Sequence, residues 1–213
     1  MYHRLSMVVL QGSLFGGGER IGPRPLNLSF ERTHLGCGAW VDFCYGWMAG
    51  ADSLFNELLA AVPWRSERRP MYDRLVDVPR LLAFFGEEDP LPAVALDQAR
   101  LALLDHYRGE AGAQFSTTGL CLYRDGRDSV AWHSDTIGRE TVEDPVIAIV
   151  SLGSPRRLLL RAKGGGASRR YLVGGGDLLV MGGSCQRTWE HSVPKMARAG
   201  PRISVQYRPR GLR

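Results

Sequence analysis

The sequence predicts a mainly β (α+β) protein, a sandwich or jelly roll with two helices ahead of it. Three observations carry that prediction. From Gly119 onward, short runs rich in Val, Ile and Leu follow one another, separated by Gly, Pro and Arg clusters. Helical periodicity is confined to two stretches before that point. The 213 residues are enough for one large domain with a substantial core, so a single domain over 1–213 is expected.

Taken in order, residues 1–30 read as an irregular arm, with Gly16-Gly17-Gly18, Gly22-Pro23 and Pro25 and no sustained period. A helix is predicted over 53–62, with Asp52 placed to cap it and Leu54, Leu58 and Leu59 on one face. Residues 64–86 interleave Trp64, Tyr72, Phe84 and Phe85 with Arg65, Arg68, Arg69, Arg74 and Arg80. Alone, that stretch reads as a solvated hairpin whose aromatics enter the core. A second helix over 96–107 follows from Leu96, Leu103, Leu104 and Tyr107. Strands are then predicted at 120–123, 130–133, 146–152, 157–161, 170–173, 178–181, 189–193 and 203–207. The glycine clusters at 164–166 and 174–176 fit tight turns, and neither has the context of a nucleotide-binding loop.

Composition excludes several classes. The cysteines at 37, 44, 121 and 185 form no C-x-x-C pair, which argues against a disulfide scaffold and a four-cysteine zinc site. No apolar run approaches a membrane span, and the apolar patch at 7–10 is too short for a secretory leader. A cytoplasmic protein is the expectation, without membrane contact. The net charge of +5 is unevenly spread: 150–213 holds 13 Lys and Arg against Asp177 and Glu190, a net of +11, while 1–149 is net −6. That asymmetry weakly suggests a polyanionic partner. All basic residues but Lys163 and Lys195 are Arg. A GC-rich genome would give the same bias, yet it supplies planar forks for carboxylates and phosphates.

The chemistry centres on Trp132-His133-Ser134-Asp135-Thr136. Residues two apart on an extended segment share a face, so His133 and Asp135 can converge on one ion. A third ligand must come from His3, His34, His106 or His191, and His191 sits on a predicted strand. Two histidines and a carboxylate leave metal positions open, as in non-haem Fe(II) oxygenases. An isolated H-x-D is common, and a lone strand histidine is more often a satisfied core residue. The strand Arg202-Ile203-Ser204-Val205-Gln206-Tyr207-Arg208 adds weight, because it alternates without a break. A solvent-facing edge strand would show the same pattern. Lining a polar barrel interior, its two arginines could instead hold a dicarboxylate.

H-x-D, then His, then R-x5-R on short strands resembles the AlkB family of Fe(II)- and 2-oxoglutarate-dependent dioxygenases. Tyr123-Arg124-Asp125-Gly126, Ser151-Leu152-Gly153, Arg169-Arg170, Gly176-Asp177-Leu178-Leu179 and His191-Ser192-Val193-Pro194 continue the likeness. It covers about 115–210 strongly and 64–86 more loosely, and is closest to members resembling the animal DNA-repair dioxygenases. The resemblance implies a double-stranded β-helix (jelly roll) catalytic core over 115–210 and a nucleotide-recognition lid over 64–86. It implies Fe(II) held by His133, Asp135 and His191, with 2-oxoglutarate and O2 as cosubstrates. Arg202 would take the distal carboxylate, Arg208 would lie near iron and Asp135, and Tyr123 would support the cosubstrate. Cys121 and Ser204 stand in that pocket where the family usually has asparagines. The loss of one amide donor should weaken cosubstrate binding by about 1 kcal/mol.

Arg65, Arg68, Arg69, Tyr72, Arg80, Phe84, Phe85, Trp132 and Asp135 are the expected substrate-binding residues, with His133 offering a second stacking face. The implied reaction is oxidative demethylation of bases such as 1-methyladenine and 3-methylcytosine in DNA or RNA by a monomeric enzyme, releasing formaldehyde, succinate and CO2. The same chemistry on tRNA, protein or a small molecule, and a non-catalytic β-barrel binding module, are the alternatives. A zinc deaminase is set aside because no H-x-E precedes a P-C-x-x-C.

Overall fold

The structure, a computed structural model, describes residues 20–26, 30–71, 74–135 and 144–212, without the side chains of 69–71 and 74–77. The 1–30 arm therefore lies largely outside the described residues, as do Tyr72 and the Arg69 and Arg74 side chains.

The chain enters through the two-residue strand β1 (Gly22–Pro23), then β2 (Glu31–Gly36), β3 (Ala39–Cys44) and β4 (Met48–Ala49). Helix α1 (Ala51–Ala61) begins at Gly50, whose left-handed φ of 63° turns the chain into the helix. A Cβ there would stand 2.9 Å from Ile21, so glycine serves both the turn and the close approach. Asp52 is not the cap expected of it; it lies inside the first turn, where its charge still complements the helix dipole. The helix buries Leu54, Phe55 and Leu58, whereas Leu59 is exposed. Phe55 takes the place because its ring packs where Gly153 leaves room.

The hairpin β5 (Arg65–Met71) and β6 (Arg74–Phe85) follows, then α2 (Val94–His106). Helix α2 buries Ala95, Leu96, Ala99 and Leu103; small alanines let it sit close, and Leu104 turns outward. Tyr107 caps its C-terminus and donates its hydroxyl to Asp42 Oδ2 at 2.9 Å. Arg32 braces the same carboxylate with two hydrogen bonds of 2.7 and 2.8 Å and lies 3.9 Å over the Trp40 ring.

All eight strands predicted after Gly119 are present: β7 (Thr117–Tyr123), β8 (Val130–His133), β9 (Ile147–Gly153), β10 (Arg156–Ala162), β11 (Arg169–Val173), β12 (Asp177–Gly182), β13 (Trp189–Val193) and β14 (Arg202–Arg208). A four-residue helix, α3 (Cys185–Thr188), falls between β12 and β13. The strands form an eight-stranded sheet, β2-β3-β12-β9-β14-β7-β6-β5, and a four-stranded sheet, β11-β10-β13-β8, all antiparallel. This is the expected jelly roll.

One face of the larger sheet packs Leu120, Leu122, Val150, Leu178, Ile203 and Tyr207 against α1 and α2. Its other face supplies Val41, Phe43, Ile147, Ile149 and Leu179 to a second core, shared with Leu158 and Leu160 of the smaller sheet. Strand β14 is central, flanked by β7 and β9, so the solvent-facing edge reading of its alternation does not hold. Its apolar side meets the helices, and its arginine side faces the interior between the sheets. Among the described residues, no helix is long and apolar enough to cross a membrane.

Candidate metal centre and cosubstrate pocket

His133 and His191 are direct register partners across β8 and β13, and their rings lie 4.2 Å apart. The His133 Nδ1–H donates to the Ala131 carbonyl at 2.9 Å, which leaves Nε2 turned toward Asp135 Oδ1 at 3.8 Å. Ligand atoms of His133, Asp135 and His191 all fall within 4.8 Å of one another. Asp135 stands just past the end of β8 and is fixed from two sides. Its backbone N–H donates to Gln186 Oε1 at 2.9 Å, and Arg208 Nη2 approaches its carboxylate at 3.3–3.4 Å. Oδ2 is buried and, apart from that ion pair, has no hydrogen-bond partner.

Burial alone would raise the Asp135 pKa, but Arg208, His191 and His133 outweigh it and hold the carboxyl below its ordinary range. Burial, reinforced by His133, pushes His191 down to about 3 against the opposing pull of Asp135. A carboxylate and a neutral imidazole are thus favoured near neutrality, the states a divalent metal needs. The donor set of two imidazole nitrogens and one carboxylate oxygen fits Fe(II).

The second part of the pocket lies farther along β14. Arg202 is fully buried, and its Nε donates to Ser151 Oγ at 2.6 Å. Its Nη1 and Nη2 have no partner. Two unpaired guanidinium nitrogens in a buried space are a costly arrangement that a carboxylate would relieve with paired hydrogen bonds. Burial accordingly presses the Arg202 pKa downward. Tyr123, its register partner on β7, places its ring 5.2 Å from that guanidinium. Burial drives the Tyr123 hydroxyl pKa up, so it stays protonated as a donor.

Between the arginines, Gln206 Nε2 donates to Ser204 Oγ at 3.1 Å and lies 3.4 Å from Cys121 Sγ. Gly119 leaves the gap that these side chains cross: a Cβ there would stand 3.2 Å from Arg208 Nη1 and 3.4 Å from Gln206 Oε1. The interior therefore gathers His133, Asp135, His191 and Arg208 at one end and Arg202, Tyr123, Cys121 and Ser204 toward the other.

Residues of the 64–86 hairpin part ways. Arg65 and Arg68 are exposed on β5. Leu82 is paired with Cys121 and Phe84 with Gly119, so Arg80, Leu82 and Phe84 lie on the pocket face of β6. Phe84 is 48% exposed there, while Phe85 and Trp64 pack against the helix-side core. Trp132 lies against Arg161, 4.1 Å from ring centre to guanidinium, and Arg161 pairs with Glu190. It stands on the opposite face of β8 from His133 and is not brought to the ligand set.

Sequence reasoning missed Gln186, Ser151, Gln206 and Arg156. Ser151 and Gln206 carried a signal, the first by its place in Ser151-Leu152-Gly153 and the second by its phase on β14. Gln186 carried none. Arg156 is fully buried 5.3 Å from the Tyr123 ring, but its Nη groups are satisfied by the carbonyls of Asp125, Asp128 and Pro194 at 2.7–3.0 Å. It is a clasp for the turn ahead of β8.

Residues 87–209 match the model of the 2OG-Fe(II) oxygenase superfamily, a span that includes His133, Asp135, His191 and both β14 arginines. The chain is 31% identical over 202 residues to the Bos taurus alpha-ketoglutarate-dependent dioxygenase alkB homolog 3, covering 82% of this chain and 67% of that protein. The Homo sapiens protein of the same name is 29% identical over 76% of this chain and 64% of its own length. The Arabidopsis thaliana DNA oxidative demethylase ALKBH2 is 34% identical over 48% of this chain and 40% of its own. A solved structure of OsALKBH1 shares the fold, with a TM-score of 0.58 at 10% identity, covering 84% of this chain and 100% of that one. With the candidate metal triad of His133, Asp135 and His191, these likenesses make the chain a member of the AlkB family of 2OG-Fe(II) oxygenases, a dioxygenase that uses Fe(II), 2-oxoglutarate and O2.

Proposed function

We propose that the protein oxidatively demethylates N-alkylated nucleobases, of the 1-methyladenine and 3-methylcytosine type, in DNA and also in RNA. The observation that carries the reading is the cluster of His133, Asp135 and His191 beside Arg208, whose strand also carries the buried Arg202 on the same face. The names of the relatives, among them a DNA oxidative demethylase, support the substrate class.

Fe(II), held by His133, Asp135 and His191, would supply oxidation of the N-methyl group by O2, coupled to decarboxylation of 2-oxoglutarate to succinate and CO2. In that stoichiometry one oxygen atom would enter the methyl C–H bond and the other succinate. The N-hydroxymethyl base would then break its C–N bond: the bonding pair would return to the ring nitrogen, cancelling the positive charge of the alkylated base, while the hydroxyl proton goes to water and formaldehyde leaves. The chain's own contribution is positional. His133 and Asp135 present ligands fixed by the Ala131 carbonyl and by Gln186, and Arg208 holds Asp135 ionised. Arg202 orients the cosubstrate through its distal carboxylate, with Tyr123, Cys121 and Ser204 beside it.

The extruded base would lie between His133 and the exposed ring of Phe84, with Asp135 in reach of its exocyclic amine. Arg65 and Arg68 on β5 would meet the phosphates, giving salt-sensitive affinity with little sequence preference. We place this activity in a monomer in the cytoplasm, where its free cysteines stay reduced. The test is mass spectrometry of methylated oligonucleotides after incubation with Fe(II), 2-oxoglutarate and O2. Loss of one methyl group per succinate formed is expected, and His133→Ala should abolish it. Succinate formation without demethylation across DNA and RNA oligonucleotides would overturn the substrate assignment.

A further inference from the structure

Sequence position groups Arg80 with the arginines that would hold phosphates, yet its side chain goes elsewhere. It shares the inward face of β6 with Leu82, which packs with Cys121, Tyr123 and Val193. Its Nη1 donates to the Ser129 carbonyl at 3.3 Å, and its Nε is buried without a hydrogen-bond partner. The guanidinium is desolvated by burial and lies in the field of Cys121 and Tyr123, with the Cys121 sulfur within weak hydrogen-bonding reach and Glu67 of β5 acting more weakly. Tyr123 lies on β7, between β6 and β14, and its register partner on β14 is Arg202, whose Nη1 and Nη2 also lack a hydrogen-bond partner. Three buried guanidinium nitrogens without partners thus belong to two arginines that flank one tyrosine. The thiol of Cys121 is a poor acceptor for any of them.

We propose that Arg80 is a cosubstrate-binding residue: with Arg202 it forms a two-arginine seat, on either side of Tyr123, for the 2-oxoglutarate dianion. This rests on the family reading and goes beyond it, since Arg80 lies outside the ligand and R-x5-R motifs. Physically, the thiol of Cys121 meets Gln206 at 3.4 Å and offers a cosubstrate only a weak donor, whereas the Arg80 guanidinium supplies charged donors beside it. The pocket then compensates for the weaker donor at Cys121 by recruiting charge from the neighbouring strand. A second consequence is selectivity, because a two-arginine seat favours a dicarboxylate over a 2-oxo acid with a single carboxylate.

The test is calorimetric titration of 2-oxoglutarate into Mn(II)-loaded protein without O2, alongside oligonucleotide binding at several salt concentrations. Arg80→Ala should weaken 2-oxoglutarate binding on the order of tenfold, as expected for a lost charged hydrogen bond. Mn(II) affinity and the salt slope of oligonucleotide binding should stay unchanged. Arg65→Ala should do the opposite, reducing oligonucleotide affinity and its salt slope only. Arg80→Lys keeps the charge if the alanine variant folds poorly, and should lose less affinity. Adding Cys121→Asn to Arg80→Ala should recover part of the loss, which a merely structural role would not predict. Unchanged 2-oxoglutarate affinity in both Arg80 variants would overturn the proposal. If wild-type protein itself bound Mn(II) but no 2-oxoglutarate, the family reading would fail instead, so the two failures are distinct.

Discussion

Arg208 and Asp135 join the central strand of the larger sheet to the ligand loop at the edge of the smaller one, at a distance of 3.3 Å. Arg208 lowers the Asp135 pKa and thereby keeps protons from competing with the metal. Arg208→Leu removes that influence, so the Asp135 carboxyl titrates at higher pH. Mn(II) affinity should then decline earlier as the solution is acidified than it does in wild type. Calorimetric titration over a mildly acidic series checks this, and coincident pH profiles would refute it.

Metal should stabilise the protein through the triad alone. At a free concentration of about 100 times its Kd, a ligand of the folded state adds about 2.7 kcal/mol. Adding Mn(II) should therefore raise the Tm of wild-type protein measurably. His191→Ala and Asp135→Ala should show no such rise, whatever their own baseline stability.

Phe84 and Phe85 are neighbours with opposite duties. Phe84→Ala should raise the KM for a methylated oligonucleotide by about tenfold, since stacking of a base on an aromatic is worth about 1–3 kcal/mol. Its Tm should hardly move. Phe85→Ala should lower the Tm through lost core packing while leaving that KM near wild type. Steady-state kinetics with paired melting curves separate the two.

Away from the site, Tyr107→Phe deletes the hydroxyl that donates to the buried Asp42. A hydrogen bond to a charged group contributes about 1.5–3 kcal/mol, and Arg32 continues to satisfy both Asp42 oxygens. A loss near the lower end of that range is expected in urea denaturation, with unchanged kcat.

Much of this architecture was legible in the residues, and the gaps have physical causes. Strands after Gly119 announced themselves through short β-branched runs, and the ligands through the two-residue spacing of His133 and Asp135. Strand β3 was missed because it is buried along its whole length, so Ala39 to Cys44 lacks a polar phase. The hairpin over 64–86 was legible, and its first arm, β5, lies on a sheet edge where Arg65 to Arg68 stay exposed. The outward turn of Trp132 and the inward turn of Arg80 share one cause. A strand's period of two leaves two phases open, and only the register with neighbouring strands selects one. Leu82 facing Cys121 sets that phase for β6, a long-range pairing that local spacing cannot reveal.

Strand β8 has four residues, lies at the margin of its sheet, and pairs with β13 alone. It nevertheless carries His133 and leads directly into Asp135. An ion held jointly with His191 would cross-link β8 to β13 through side chains, acting as a third rung beside a short and bulged backbone ladder. The amides of Trp132 and His133 should then exchange with deuterium more slowly when metal is present, while those of β14, locked between two strands, should be indifferent. Occupancy of the centre is thus also a mechanical fastening, so iron loss would loosen the rim of the barrel before its interior.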